Sequence, residues 1–269
     1  MKGYSQLKDL RNRIAVVTGA SSGLGEQVAY QLAQKGAIVV VCARRLERLK
    51  QVSQRCQQLS GRLALPLQLD VSDPAAVEAA VDQIETDLGP IAILVNDAGF
   101  GLMENFLDFE MAVTEKMFRV NVLGLMYLTR FVGLKMAERQ VGAIINVASI
   151  AAKIATPKSA VYAATKAAVL AFSNALRLEL KPLGISVLTV NPGPIKTEFF
   201  SIADRGGHYL DKVDWLSLNP QEVAEKIVRA IGTSRRELNL PYLFEAAYHF
   251  YNLFPRVGDC LAGGLFNKK

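Results

Sequence analysis

RIAVVTGASSGLGEQVAYQLAQKGAIVVVCARR (residues 13–45) decides the fold. It opens on a short apolar run rich in β-branched residues, RIAVVTGA (13–20). GEQVAYQLAQKGA (25–37) has helical spacing and stops near Gly36, and a second apolar run follows as IVVVCAR (38–44). Two continuous apolar strands joined through a helix make a parallel unit buried on both faces. Between the first strand and the helix stands TGASSGLG (18–25), with Gly19, Gly23 and Gly25 where the chain turns. Glycine allows a tight turn and close backbone approach. The helix N-terminus beyond it presents free N–H groups to a pyrophosphate. A glycine-rich turn with no ligand would look similar, but its place between a clear strand and a clear helix favours a nucleotide. Ser21, Ser22 and Leu24 then belong to the same cradle.

The alternation continues outward. LALPLQLDV (63–71), IAILVNDAG (91–99), GAIINVAS (142–149), ISVLTVNPG (185–193) and ELNLP (237–241) read as strands. RLERLKQVSQRCQQL and DPAAVEAAVDQIETDLG read as helices, the latter with Asp73 as cap and Pro74 at its first position. A long helix covers roughly 111–137, another spans SAVYAATKAAVLAF (159–172), and a further one begins at Asn219-Pro220 with Glu222 placed as in a capping box. No linker, repeat or low-complexity tract interrupts this. The expected fold is α/β, a doubly wound parallel sheet of Rossmann type, in one domain over 1–269 with a core of about 11–200.

A hydrophobic share of 51% with 21% charged residues excludes a disordered chain. The net charge of +6 is scattered apart from Arg44, Arg45, Arg48 and Lys50, which suits a small phosphorylated ligand better than nucleic acid. Cys42, Cys56 and Cys260 are an odd count without C-x-x-C spacing, so neither a disulfide framework nor a zinc site is expected, and a cytoplasmic setting is. No metal site is read from the sequence. No signal peptide is read at the start, and no uninterrupted apolar stretch reaches 18 residues, so no membrane span is expected.

In an open parallel sheet, ligands bind beyond the carboxyl ends of the strands. The second strand ends at Ala43, where a cofactor with a free ribose 2′-hydroxyl would meet an acid. Arg44 and Arg45 follow instead, and an Arg pairs well with a 2′-phosphate. NADP is therefore favoured over NAD. The third strand ends at Asp70-Val71, the fourth in NDAG (96–99), the fifth at Ser149 and the sixth in NPGPIKT (191–197). Asn121 sits inside a helix, where its side chain competes for backbone hydrogen bonds. Tyr162 and Lys166 lie four apart on a helix and so share a face. Alone, that pair is a weak signal.

TGASSGLG, DV, NDAG, Asn121, Ser149, YAATK and NPGPIKT, in this order, resemble the short-chain dehydrogenase/reductase family over about residues 11–200. The resemblance implies reversible hydride transfer between a nicotinamide and a carbonyl or alcohol. It implies that Tyr162 is the general acid/base, that Lys166 lowers the phenol pKa and holds the ribose, that Ser149 orients the substrate oxygen, and that Asn121 holds a water in the proton relay. Asp70 and Val71 resemble adenine contacts, Asn96, Ala98 and Gly99 the segment supporting sheet and cofactor, Pro192, Gly193 and Ile195 further cofactor contacts, and Thr197 the contact to the carboxamide. Homodimers or homotetramers are common in the family. The physics agrees: a free Tyr titrates near ~10, and a cation about 5 Å away at an effective dielectric of ~20 contributes roughly 3 kcal/mol toward the phenolate. Asp97 departs from the pattern, which more often has a second Asn there.

Two other classes share parts of the signature. A cofactor sensor built on an inactive domain would be expected to lose Tyr162 or Lys166. A nucleotide-sugar epimerase or dehydratase uses a different glycine spacing and a larger C-terminal region.

The stretch 198–218 is expected to cover the site, with Phe199, Phe200, Tyr209 and Trp215 as apolar area and His208 as structural or exposed. In the extension 242–269, Leu243, Ala247, Phe250 and Phe254 form a helical stripe that Phe244, Tyr248 and Tyr251 widen, and Pro255 should end or kink that helix. The stripe is expected to pack on its own domain or a second subunit. Cover for a bulky apolar substrate and peripheral membrane contact are the lesser alternatives.

Overall fold

A computed structural model describes residues 3–199, 203 and 217–266 of the chain. Its centre is a seven-stranded sheet, all pairs parallel, in the order β3-β2-β1-β4-β5-β6-β7. The strands are β1 Ile14–Thr18, β2 Ile38–Ala43, β3 Ala64–Gln68, β4 Ile91–Asn96, β5 Gly142–Val147, β6 Ile185–Pro192 and β7 Glu237–Leu240. β1 and β4 to β6 are almost wholly buried, as their unbroken apolar runs require.

Helices α1 (Gly23–Gln34), α2 (Leu46–Ser60) and α7 (Pro220–Ala230) cover one face. Val28, Ala29 and Leu32 of α1 are fully excluded from solvent there, and burying a Val or Leu side chain contributes about 1.5–3 kcal/mol. Helices α3 (Pro74–Asp87), α4 (Met111–Phe118), α5 (Leu125–Arg139) and α6 (Ala160–Leu180) lie on the other side. Asp73 caps α3 as expected, accepting hydrogen bonds from the amides of Ala75 and Ala76 at 3.0 and 3.1 Å.

α4 and α5 are one long helix joined through a π turn at Arg119–Gly124. By length and composition Met111–Arg139 could cross a bilayer. It is a core helix here: Leu128, Val132 and Met136 are buried against the sheet.

The chain ends in α8 (Leu243–Leu253) and α9 (Pro255–Phe266), with the break at Pro255. The expected apolar stripe does not pack on its own domain. Leu243, Phe250 and Phe254 are 66%, 44% and 54% exposed. The inward row is Phe244, Glu245 and Tyr248 instead, while Tyr251 lies against Gly258 of α9. Both rows are apolar enough to be buried, and polar contacts choose between them: Glu245 lies 3.9 Å from the ammonium of Lys153, which also sits 4.9 Å over the Tyr248 ring.

Candidate active site

The strand order reverses direction between β1 and β4, and the ends of these two strands build the centre of the site. Thr18, the last residue of β1, accepts hydrogen bonds at its Oγ1 from the amides of Asp97 and Ala98, both at 3.1 Å. This ties the glycine turn to the end of β4. Gly19 has φ +69°, and a Cβ there would stand 2.9 Å from the Ala98 nitrogen. Only glycine fits both the conformation and the approach. Arg45 reaches back over the turn. It donates from Nε and Nη2 to Ser21 Oγ (3.1 and 2.9 Å) and from Nη2 to Ser22 Oγ (2.6 Å).

A cavity of about 590 Å³ opens along the carboxyl ends of the strands. Every residue that the sequence assigned to the site lines it, except Gly25, Asn96 and Asn121. Gly25 lies beneath the turn, where a Cβ would meet Asp97 Oδ2 at 2.8 Å, so its part is close packing. Asn96 is behind the wall. Its amide donates to Thr129 Oγ1 (3.1 Å) and to Asn146 Oδ1 (2.9 Å), the residue beside it on β5. It knits the sheet rather than facing a ligand.

Asn121 sits in the π turn and is 1% exposed. Its Oδ1 accepts from the Phe100 amide (3.0 Å), and its Nδ2 donates to the Phe100 carbonyl (2.9 Å) and to Thr165 Oγ1 (3.1 Å). Both amide hydrogens are thereby used. The side chain clamps the segment after β4 to α6, and π turns recur at functional sites for this kind of re-aiming.

Tyr162 and Lys166 share a face of α6 and are 8% and 6% exposed. The ammonium lies 5.9 Å from the phenol ring centroid and donates to the Val147 carbonyl at 2.8 Å. Ser149, at the end of β5, opens a short 3₁₀ turn and accepts from the Ala151 amide at 3.1 Å. That bond uses a lone pair and leaves the hydroxyl proton to donate.

Asp97 is half-buried, and its open side faces the cavity rather than bulk water. Burial pushes its carboxyl up to about 7, against the pull of the Lys166 cation and the Gly25 amide. Burial also lowers Lys166 to about 8, while Asp97 holds it up. Between the ordinary carboxyl value near 4 and about 7, the folded chain therefore keeps a proton that the unfolded chain has released. Stability falls as pH rises through that window. Asp97→Asn should flatten this fall, so that its melting temperature gains on the unmodified protein from about pH 4 to about pH 7. Thermal melts across the range check this; parallel curves would refute it.

Thr18 and Thr165 lie inside the motifs TGASSGLG and YAATK, but the sequence assigned neither a role and did not single out Asn146, because their partners are distant in the chain. Nor did it place Phe244 in the cavity wall. Of the expected covering loop, Phe199 is seen, with its ring 5.6 Å from that of Tyr162. Phe200, His208, Tyr209 and Trp215 lie outside the described residues.

The sequence profile of the short chain dehydrogenases matches residues 13–205. The chain is 33% identical over 258 residues to dehydrogenase/reductase SDR family member 7B of Rattus norvegicus, covering 92% of this chain and 79% of that one. It is also similar to the solved short-chain dehydrogenase from Sphingobium yanoikuyae in complex with NADPH (TM-score 0.80, 27% identity, 91% of this chain and 94% of that one). A third similarity is to the alcohol dehydrogenase of the archaeon Thermococcus sibiricus complexed with 5-hydroxy-NADP (TM-score 0.76, 25% identity, 86% and 96%). The chain belongs to the short-chain dehydrogenase/reductase family and is an NAD(P)-dependent oxidoreductase.

Proposed function

We propose that this protein is an NADP(H)-dependent carbonyl reductase or alcohol dehydrogenase in which Tyr162 moves the proton. The observation that carries the reading is one cavity with a glycine cradle at one end and Ser149, Tyr162 and Lys166 at the other. The cradle suits a dinucleotide: at Gly19 and Gly99 a side chain would collide with backbone or with Asn121, so the chain can approach a ligand closely there. The bound nicotinamide supplies or accepts the hydride. Ser149 Oγ donates to the substrate oxygen and fixes its direction. The Tyr162 hydroxyl gives its proton to that oxygen in reduction and takes it back in oxidation. Asp97 holds Lys166 toward its cationic form against burial, and the ammonium stabilises the phenolate that remains. Asn121 keeps Phe100 and α6 in register with this trio.

The preference for NADP rests on Arg44 and Arg45 at the cavity wall, with no acid at Ala43. Two of the similar solved proteins carry NADPH or an NADP derivative, which supports the same choice. Arg44→Ala should weaken NADPH by about 2–3 kcal/mol, the worth of a lost charge-assisted contact, and leave NADH nearly unchanged. Titration of both cofactors decides it, and equal affinity in the unmodified protein would sink the preference. The wider reading is tested by cofactor turnover over a panel of carbonyls and alcohols. Tight cofactor binding without turnover of any member would favour a sensor instead.

A further inference from the structure

We propose that the substrate end of the cavity takes an uncharged carbonyl compound with a sizeable apolar substituent, and that Phe244 of the C-terminal helix sets its size limit. The inference rests on the oxidoreductase reading above and deepens it. Phe100, Met103, Ile150, Ile154, Phe199 and Phe244 line the same cavity as Tyr162. Phe100, Met103 and Phe199 pack in one apolar cluster with Tyr162. The polar groups at this end are the hydroxyls of Ser149, Thr156, Ser159 and Tyr162 and the Lys166 ammonium, which donates to the Val147 carbonyl at 2.8 Å.

Among the described residues, the charged side chains that line the cavity lie elsewhere or are engaged by other groups of the protein. Arg44, Arg45 and Asp70 follow β2 and β3, on the other half of the sheet. Lys116 acts electrostatically on Asp70, and Glu198 is drawn to Arg45 and Arg48 at 3.7 and 4.0 Å. Lys166 is buried and donates to the Val147 carbonyl at 2.8 Å, and Asp97 is the acid that acts on it. Among the described residues, a substrate carboxylate or phosphate at the apolar end finds no dedicated partner to replace the water it would lose.

Phe244 reaches this wall because α8 is held in place. A Cβ on Gly193 would stand 2.7 Å from its Cε2, so the ring lies flush on the loop after β6. Lys153, four residues beyond Ser149, has a side chain only 4% exposed. Its ammonium lies 2.5 Å from Glu237 Oε2 on β7, 3.9 Å from Glu245, and over the Tyr248 ring. One cation thus joins the Ser149 loop, the edge strand and α8. The helix is a fixed wall, and the side chain at position 244 determines how much room lies beside it.

The test compares 2-butanone, 2-octanone and 7-oxooctanoate as substrates with NADPH, in the unmodified protein and in Phe244→Ala and Phe244→Trp. Calorimetric binding of 2-octanol and 7-hydroxyoctanoate in the presence of NADP runs beside it. Each buried methylene is worth about threefold to fourfold. 2-Octanone should exceed 2-butanone in kcat/KM by about 10-fold or more, and exceed 7-oxooctanoate by a similar margin. Phe244→Ala should widen the ratio of long to short ketone, and Phe244→Trp should narrow it. A carboxylated compound used or bound as well as the neutral one overturns the proposal, as does a ratio that stays the same in all three proteins. If nothing turns over but calorimetry keeps the neutral-over-charged preference, the oxidoreductase reading fails and the ligand class stands.

Discussion

Tyr162→Phe should lower turnover by about 100-fold or more while leaving NADPH affinity nearly intact. The substitution replaces the hydroxyl by a non-acidic ring hydrogen and keeps the ring that packs with Phe199 5.6 Å away. The cavity wall therefore survives, and the loss falls on proton transfer, which a positioned acid/base typically accelerates 10²–10⁴-fold. Equal falls in kcat and kcat/KM would mark an interaction made only in the transition state. Near-normal turnover on a good substrate would show that another group moves the proton.

Lys166→Ala should be at least as damaging to turnover, and it should weaken cofactor binding as well. The ammonium is buried beside the phenol and opposite Asp97, so its loss removes the cation that favours the phenolate. It also leaves Asp97 without its counter-charge, and the carboxyl then stays protonated over a wider range. The two variants differ in pH response. With the phenol still present, alkaline pH should restore part of the oxidative turnover of Lys166→Ala, whereas Tyr162→Phe should gain nothing. Rate profiles for alcohol oxidation from about pH 7 to about pH 10 separate the cases. A Lys166→Ala enzyme that stays flat across this range would mean the cation does not act through the phenol.

Much of this site could be read from the chain because it is written locally. A parallel sheet buried on both faces demands unbroken apolar strands, so β1, β4 and β6 announce themselves, and the glycine turn and Tyr162–Lys166 spacing lie within single turns of backbone. What was not legible depends on distant partners. Asn96 has the composition of a ligand contact, yet its register beside Asn146 on β5 turns it into a sheet cross-link. The helix at 243–253 had the right period but two apolar rows, and the row that turns inward is chosen by Lys153, some ninety residues earlier in the chain. No local pattern could reveal that choice, or the place of Phe244 that follows from it.

The π turn at Arg119–Gly124 fixes the length of its helix as strictly as the identity of any residue in it. Each residue advances an α-helix by about 100°. Within the turn the helix must carry Asn121 to Phe100; downstream it must present Leu128, Val132 and Met136 to the sheet. The wide turn reconciles those two headings. Dropping one residue from it would swing one group or the other about a quarter-turn out of line. Single-residue insertions and deletions, which surface loops absorb freely, are thus shut out of the middle of this helix, and its count of residues is itself a constraint on descent.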